Sequence, residues 1–249
     1  MAPLPLFYTS IVVLDRNIHR DARIAPAERG YAFAAGSHVV PALMAEFVLG
    51  CRDMPILFLE EAGSVSPLFM VGMRSGENDF VEAGGRWNGV HAPAYLRRYP
   101  FIGGEVSQEQ QVICLDGSYA GLQDQAGERL FNEAGEPSEM LQRAVTFVGE
   151  YADAAKATGV FTAELKALDL FQTVNIDIRS PTGLSSSFSG FLAVSEERFN
   201  ALPDDVLADL RRKGYLAPIY AHLISLGNFG ALGDRAGARA TAAAAAEAA

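Results

Sequence analysis

Strand-type and helix-type hydrophobic patterns are segregated along this chain, and that order constrains the fold more than any single motif. Two apolar runs, PILFLE (55–60) and PLFMVGM (67–73), flank the loop EAGSVS and predict a β-hairpin with a longer loop. Ser10–Leu14 and Asp79–Glu82 read as short strands, the second closed by Gly84-Gly85, and Phe101–Val106 with Gln111–Leu115 reads as a second strand pair. One early segment, Pro41–Cys51, has apolar residues at helical spacing with proline at its first turn.

Beyond Gly117 the period changes. Met140, Leu141, Ala144, Val145, Val148 and Tyr151 share one side of a helix predicted over Pro137–Thr158, with Ser138 as N-cap and Gly159 as its stop. A second helix is expected over Thr162–Leu170. Gln172–Arg179 and Ser187–Val194 then alternate as strands around SPTGLS. Ser195 opens a short helix, Pro203–Lys213 forms another ended by Gly214, and Tyr215–Leu226 carries a stripe of Leu216, Ile219, Tyr220, Leu223 and Leu226. The pattern is α+β: antiparallel β-sheet elements in the N-terminal half packed with a mainly helical C-terminal half. No linker or composition shift divides it, so a single domain is expected over residues 5–232. Residues 233–249, ending in TAAAAAEAA, read as an alanine-rich tail that frays for want of an apolar stripe.

Composition narrows the partners. The net charge of −10 disfavours nucleic acid, whose phosphates need a basic face. No apolar run approaches the ~18 residues of a membrane span, and the N-terminus lacks the basic and cleavage signals of an export peptide. Cys51 and Cys114 both sit in apolar patterns and read as buried thiols, so a cytoplasmic location is expected.

Motifs for common chemistries are missing: no GxGxxG, Walker A, GxSxG, HExxH or CxxC occurs. The serine-rich GLSSSFSG (183–190) lies in a hairpin rather than before a helix, so it reads as turn and strand. His19, His38, His91 and His222 do not fall at metal-ligand spacing, and the His19-Arg20-Asp21 triplet is too short a pattern to define a site; no metal and no cofactor are expected. His222 lies about 100° from the centre of its helix's apolar stripe. There it is either a hydrogen-bonded residue at the core edge or a general base facing a cleft.

The densest chemistry is RWNGVHAPAYLRRYPF (86–101), with the only tryptophan, three arginines and two prolines. Trp, Tyr and Arg are the residues enriched in binding hot spots, so Trp87, Tyr95, Arg97, Arg98 and Tyr99, together with His222, are the candidate binding residues. The bland alternative is a rigid corner packed by its aromatic rings. Adjacent arginines on a helical turn point about 100° apart. One of Arg97 and Arg98 is therefore expected to pair inside the fold, with Glu60, Glu61 or Glu77. The other is left to take an external carboxylate.

These pieces occur in a specific order. Val40-Pro41, Glu46, Asp53-Met-Pro-Ile-Leu-Phe, Gly72-Met-Arg-Ser-Gly-Glu-Asn-Asp-Phe-Val, Arg86-Trp87 and Pro93-Ala-Tyr-Leu-Arg-Arg-Tyr-Pro-Phe are followed by Ser189-Gly190-Phe191, Leu202-Pro203, Gly214-Tyr215-Leu216 and Ile219-Tyr-Ala-His-Leu-Ile-Ser-Leu226. The series resembles the SapC family over about residues 5–232. The resemblance implies a bacterial setting and an association, through the family's name, with the surface layer. Similar proteins are encoded near outer-membrane receptors and flavin-dependent halogenase-like proteins. It carries no catalytic residues onto this chain.

The expectation is a cytoplasmic accessory or binding protein whose partner is a protein or a small molecule, with a homo-oligomer possible. One alternative is an enzyme acting on a peptide or small acid, with Glu46, Glu77 or His222 as acid–base groups. The other is a structural surface-layer component.

Overall fold

The hairpin over residues 56–70 is the seed of the main sheet. In the computed structural model, which describes residues 4–26, 30–107, 110–123, 127–179, 183 and 185–247, strands β4 (Ile56–Glu61) and β5 (Ser64–Met70) pair antiparallel from Ile56↔Phe69 to Glu61↔Ser64. The loop is tighter than predicted. Ala62 and Gly63, both at positive φ (49° and 82°), make a two-residue turn whose twist matches the strands. Ile56, Leu57 and Phe58 are consecutive and fully buried, so both faces of the sheet are covered there.

Two further pairings complete a five-stranded sheet. The edge strand β3 (Val39–Pro41) joins β5, and the hairpin β10 (Phe171–Arg179) with β11 (Ser185–Val194) joins β4, giving the order β10-β11-β4-β5-β3. Pro41 therefore ends an edge strand, where a missing N–H is tolerated, instead of opening a helix. The helix expected over Pro41–Cys51 shrinks to a 3-10 turn at Met44–Glu46 and the short α1 (Phe47–Gly50). Asp79–Glu82 is likewise not a strand; it contributes only the isolated bridge Val81↔Trp87. The second predicted pair is present as β6 (Phe101–Ser107) and β7 (Gln110–Asp116), to which β1 (Ile11–Val13) adds a third strand. A small ladder of β2 (Arg23–Ile24) between β8 (Leu122–Gln123) and β9 (Glu128–Arg129) escaped the sequence reading, because two-residue strands carry no period.

The helix α3 (Glu139–Ala167) is one rod of 29 residues, not two helices broken at Gly159. Its Ser138 cap accepts the Leu141 amide at 3.3 Å, as its sequence predicts. Leu141 and Val148 near its start pack with Phe101, Leu115 and Phe131, while Phe161 and Leu165 near its end enter the core of the main sheet. One continuous helix thus spans two hydrophobic clusters, which is why a glycine inside it is tolerated. The remaining helices are α4 (Glu196–Asn200), α5 (Asp204–Arg212), α6 (Leu216–Ser225) and α7 (Phe229–Glu247), with α2 (Ala94–Arg97) inside the arginine-rich block. The alanine-rich segment belongs to α7. Leu232, Gly233, Ala236 and Gly237 bury one side of it, and residues 241–245 are exposed. A Cβ at Gly233 would stand 3.0 Å from the Arg179 carbonyl, so this small residue is what lets α7 lie against β10. No described helix is long and apolar enough to cross a membrane.

Candidate functional site

The block from Arg86 to Phe101 is a clasp around one carboxylate. Glu46, buried at the end of the 3-10 turn, accepts hydrogen bonds from His91 Nε2 at 2.7 Å and from the Ala94 amide at 2.6 Å through Oε1, and from the Leu43 amide at 3.4 Å through Oε2. Arg97 Nη2 stands 3.8 Å from the same Oε1, and its Nε donates to the Ala92 carbonyl at 3.0 Å. Trp87 stacks on Phe80 at 5.2 Å between centroids, and its indole N–H donates to the His91 carbonyl at 3.0 Å.

Arg98 is held differently. Its guanidinium lies 4.1 Å from the Tyr95 ring centroid and 4.3 Å from that of Tyr151, with Tyr8 at 5.8 Å, and its buried Nε has no hydrogen-bond partner among the described residues. Burial raises the Tyr8 and Tyr95 hydroxyls and pushes Tyr151 up to about 12, so neutral ring faces surround a lasting positive charge. The hydroxyl of Tyr95 donates to the Leu6 carbonyl at 3.1 Å. Tyr99 stacks on Phe33 at 4.1 Å and reaches Asp116 Oδ2 at 3.4 Å, and burial with that neighbouring carboxylate pushes its hydroxyl up to about 12.

The expected pairing of Arg97 or Arg98 with Glu60, Glu61 or Glu77 does not occur. Glu60 binds Lys166 at 2.7 Å, and Glu77 faces Arg74 and Arg239. Aromatic rings take the place of a carboxylate, because three tyrosines converge on Arg98 from segments far apart in sequence.

His222 sits in the core rather than at its edge. Nε2 accepts the Val194 amide at 2.9 Å and Nδ1–H donates to the Ile56 carbonyl at 2.9 Å, so the imidazole stitches β11 to β4 as one neutral tautomer. Burial pulls its pKa down to about 4. Both ring nitrogens are taken by backbone, and no partner among the described residues is shared by His222, Arg97 and Arg98. His19 accepts the Asp15 amide at 3.0 Å while Asp21 faces Arg129 at 3.3 Å. Among the described residues no group of three His, Cys, Asp or Glu side chains is placed to hold a metal ion.

A concave site lies elsewhere, between α7 and the loop that carries Gly72–Val81. Asn78, fully buried, donates to the Ala34 carbonyl at 3.1 Å and accepts the Phe80 amide at 3.0 Å. That strap locks the turn at residues 32–35 beside Asp79 and Phe80. A Cβ on Gly72 would stand 1.8 Å from the Glu77 carbonyl oxygen, so only glycine lets the loop close. Over the strap, α7 leaves a groove of about 830 Å³ walled by Ala32, Ala35 and Val81 on one side and Ala238 and Ala242 on the other. Arg235 and Arg239 enter it from α7. Arg239 donates to the Asn78 carbonyl at 3.1 Å and to Asp79 Oδ1 at 3.3 Å. Arg235 donates to the Asn88 carbonyl at 2.6 Å and lies 4.2 Å over the Phe80 ring. Burial raises the Asp79 carboxyl above its ordinary value, against the opposing pull of the Met73 amide and Arg239.

Sequence reasoning missed this groove. Its signal was present in Asp234-Arg-Ala-Gly-Ala-Arg239: two arginines four residues apart share a helix face, while glycine and alanine on the opposite face permit close docking. An Ala-rich helix without large apolar residues reads as undocked unless small-residue packing is considered.

An α+β core with a strap-and-helix groove thus describes this molecule. The SapC family model matches residues 14–232 of the 249, and the chain belongs to that family. No curated protein and no solved structure matches it. The strap residues Gly72–Val81 fall within the family match, whereas Arg235, Ala238 and Arg239 lie after it.

Proposed function

We propose that this SapC-family chain is a cytoplasmic accessory protein that acts by binding a small molecule in the groove between α7 and the Gly72–Val81 strap. The carrying observation is the groove itself. A concavity of about 830 Å³ with alanine walls and guanidinium groups at its rim has the size and lining of a small-molecule site. The aromatic–arginine block supports this reading as scaffold. Glu46, His91, Trp87, Tyr95 and Arg98 meet one another or nearby backbone, and Phe80, against which Trp87 stacks, is also the ring beneath Arg235. The block therefore positions the groove floor from behind.

Native mass spectrometry of protein purified from its own host tests the reading. Wild type is expected to carry a co-purifying small molecule, and Ala238→Trp, which fills the groove, to lose it while unfolding at the wild-type temperature. Wild type without any bound small molecule, or one retained unchanged by Ala238→Trp, would overturn the proposal.

A further inference from the structure

The groove's charges, taken one by one, specify its ligand. Four ionisable side chains line it: Asp79, Glu82, Arg235 and Arg239. Glu82 is held by Arg86 through two hydrogen bonds, at 2.8 and 2.7 Å. Arg239 lies 3.3 Å from Asp79 Oδ1 and 3.8 Å from Glu77. Arg235 has no carboxylate partner among the described residues. It is also pre-positioned, because the Asn88 carbonyl takes one of its N–H groups and the Phe80 ring supports the face of its guanidinium. A guanidinium has five N–H donors in a planar fork, so most of its capacity is left to meet a carboxylate. Ala32, Ala35, Val81, Ala238 and Ala242 line the walls with methyl and isopropyl groups, Asp79, Glu82 and Arg239 already hold partners, and Asn88 adds one neutral polar side chain.

Resting on the groove reading, we infer that the ligand is a small apolar acid, a single carboxylate on an apolar body, with the carboxylate anchored on Arg235 and the body between Ala32 and Ala35 on one side and Ala238 and Ala242 on the other. One uncompensated guanidinium balances one negative charge. A phosphate monoester, with nearly two charges at neutral pH, leaves one unmatched in a protein of net charge −10. A neutral molecule of the same shape leaves Arg235 without its counter-charge.

The test uses the full chain and three probes of equal length: octanoate, octanol and octyl phosphate. Binding is measured by calorimetry and located by chemical-shift changes at Ala32, Ala238 and Ala242. Octanoate is expected to bind tightest and to shift those residues. Arg235→Gln is expected to weaken octanoate roughly tenfold to a hundredfold, the scale of a charge-assisted hydrogen bond, and to leave octanol unchanged. Arg235→Lys, which keeps the charge and loses the fork, should fall between. Unfolding temperatures of the variants are compared first, and the shift map of the wild type locates the site without any substitution. If octanoate and octanol bind alike, shift the groove residues and ignore Arg235→Gln, the groove reading stands and the acid inference is wrong. Tighter binding of octyl phosphate sinks the monoanion argument in the same way. If the probes shift residues elsewhere, or none binds at millimolar concentration, the inference fails, and the host-purified Ala238→Trp comparison then decides the groove separately.

Discussion

Glu46 Oε1 lies 2.7 Å from Nε2 of His91, a part-buried contact that helps tie the 3-10 turn before α1 to the loop that opens α2. The same oxygen receives the Ala94 amide, so removing the carboxylate orphans a buried amide and a part-buried imidazole donor at once. Glu46→Ala is expected to cost about 2–4 kcal/mol of stability, and Glu46→Gln, which keeps an acceptor for Ala94, about 1–2 kcal/mol. Urea unfolding of the two variants checks the order. An alanine variant within about 0.5 kcal/mol of wild type would show that the clasp is not structural.

Arg97 and Arg98 are neighbours with different duties. Arg98 is packed between Tyr95 and Tyr151, at 4.1 and 4.3 Å. Desolvated cation–π contacts reach about 2 kcal/mol each, and the Arg98 Nε is buried, so Arg98→Ala should cost about 2–4 kcal/mol. The Arg97 side chain is 41% exposed, and its ion pair with Glu46 spans 3.8 Å. Arg97→Ala should cost less than about 1 kcal/mol. Thermal and urea unfolding, run side by side, decide the matter; equal losses would mean that the tyrosine cage does not hold Arg98.

His222 makes stability depend on pH in a stated direction. Its pKa falls from the ordinary value of 6.5 to about 4 on folding. Between those values the unfolded chain binds a proton that the folded chain refuses. The contribution is therefore complete above about pH 6.5 and lost as pH falls towards 4, amounting to about 3 kcal/mol over the window. In His222→Gln, which can still accept from Val194 and donate to Ile56, this part of the acid sensitivity should vanish. Unfolding free energies at pH 7, 5.5 and 4.5 isolate it, since every other titrating group is common to both proteins. Identical pH slopes would refute the assignment.

What could be read from the sequence was local. The PILFLE–PLFMVGM hairpin, the Ser138 cap and the Gly214 terminus all follow from a few adjacent residues, and each is present in the fold. Gly214, at φ 77°, ends its helix in the left-handed conformation that its identity favours. What could not be read was non-local. Nothing near residue 191 announces that Phe191 pairs with Leu59, which joins two hairpins into one sheet. Helical period alone puts His222 at a core edge because it sees only its own helix, whereas its burial comes from β4 and β11. The arginine-rich block was recognised as special, but its electrostatic partners, Tyr8 and Tyr151, come from the N-terminus and from the middle of α3. The groove was hidden because its far wall is alanine, which is silent in a hydrophobic pattern.

Gly159 gives the sharpest separation of propensity from packing. Its identity predicts a helix end, yet α3 runs through it from Glu139 to Ala167. The helix continues because Leu141 and Val148 anchor one cluster and Phe161 and Leu165 the other, so a break would unseat one of them. The glycine itself contributes nothing to either. A Cβ built there meets no atom within 4 Å, and its φ is not in the left-handed region. Gly159→Ala should therefore stabilise the protein by about 0.5–1 kcal/mol, by restricting the unfolded chain and raising helix propensity. Urea unfolding checks the gain, with an unchanged m-value expected because the exposed surface is the same. A destabilised Gly159→Ala would mean that α3 needs a flexible joint at this point, and that the two clusters are not held by one rigid rod.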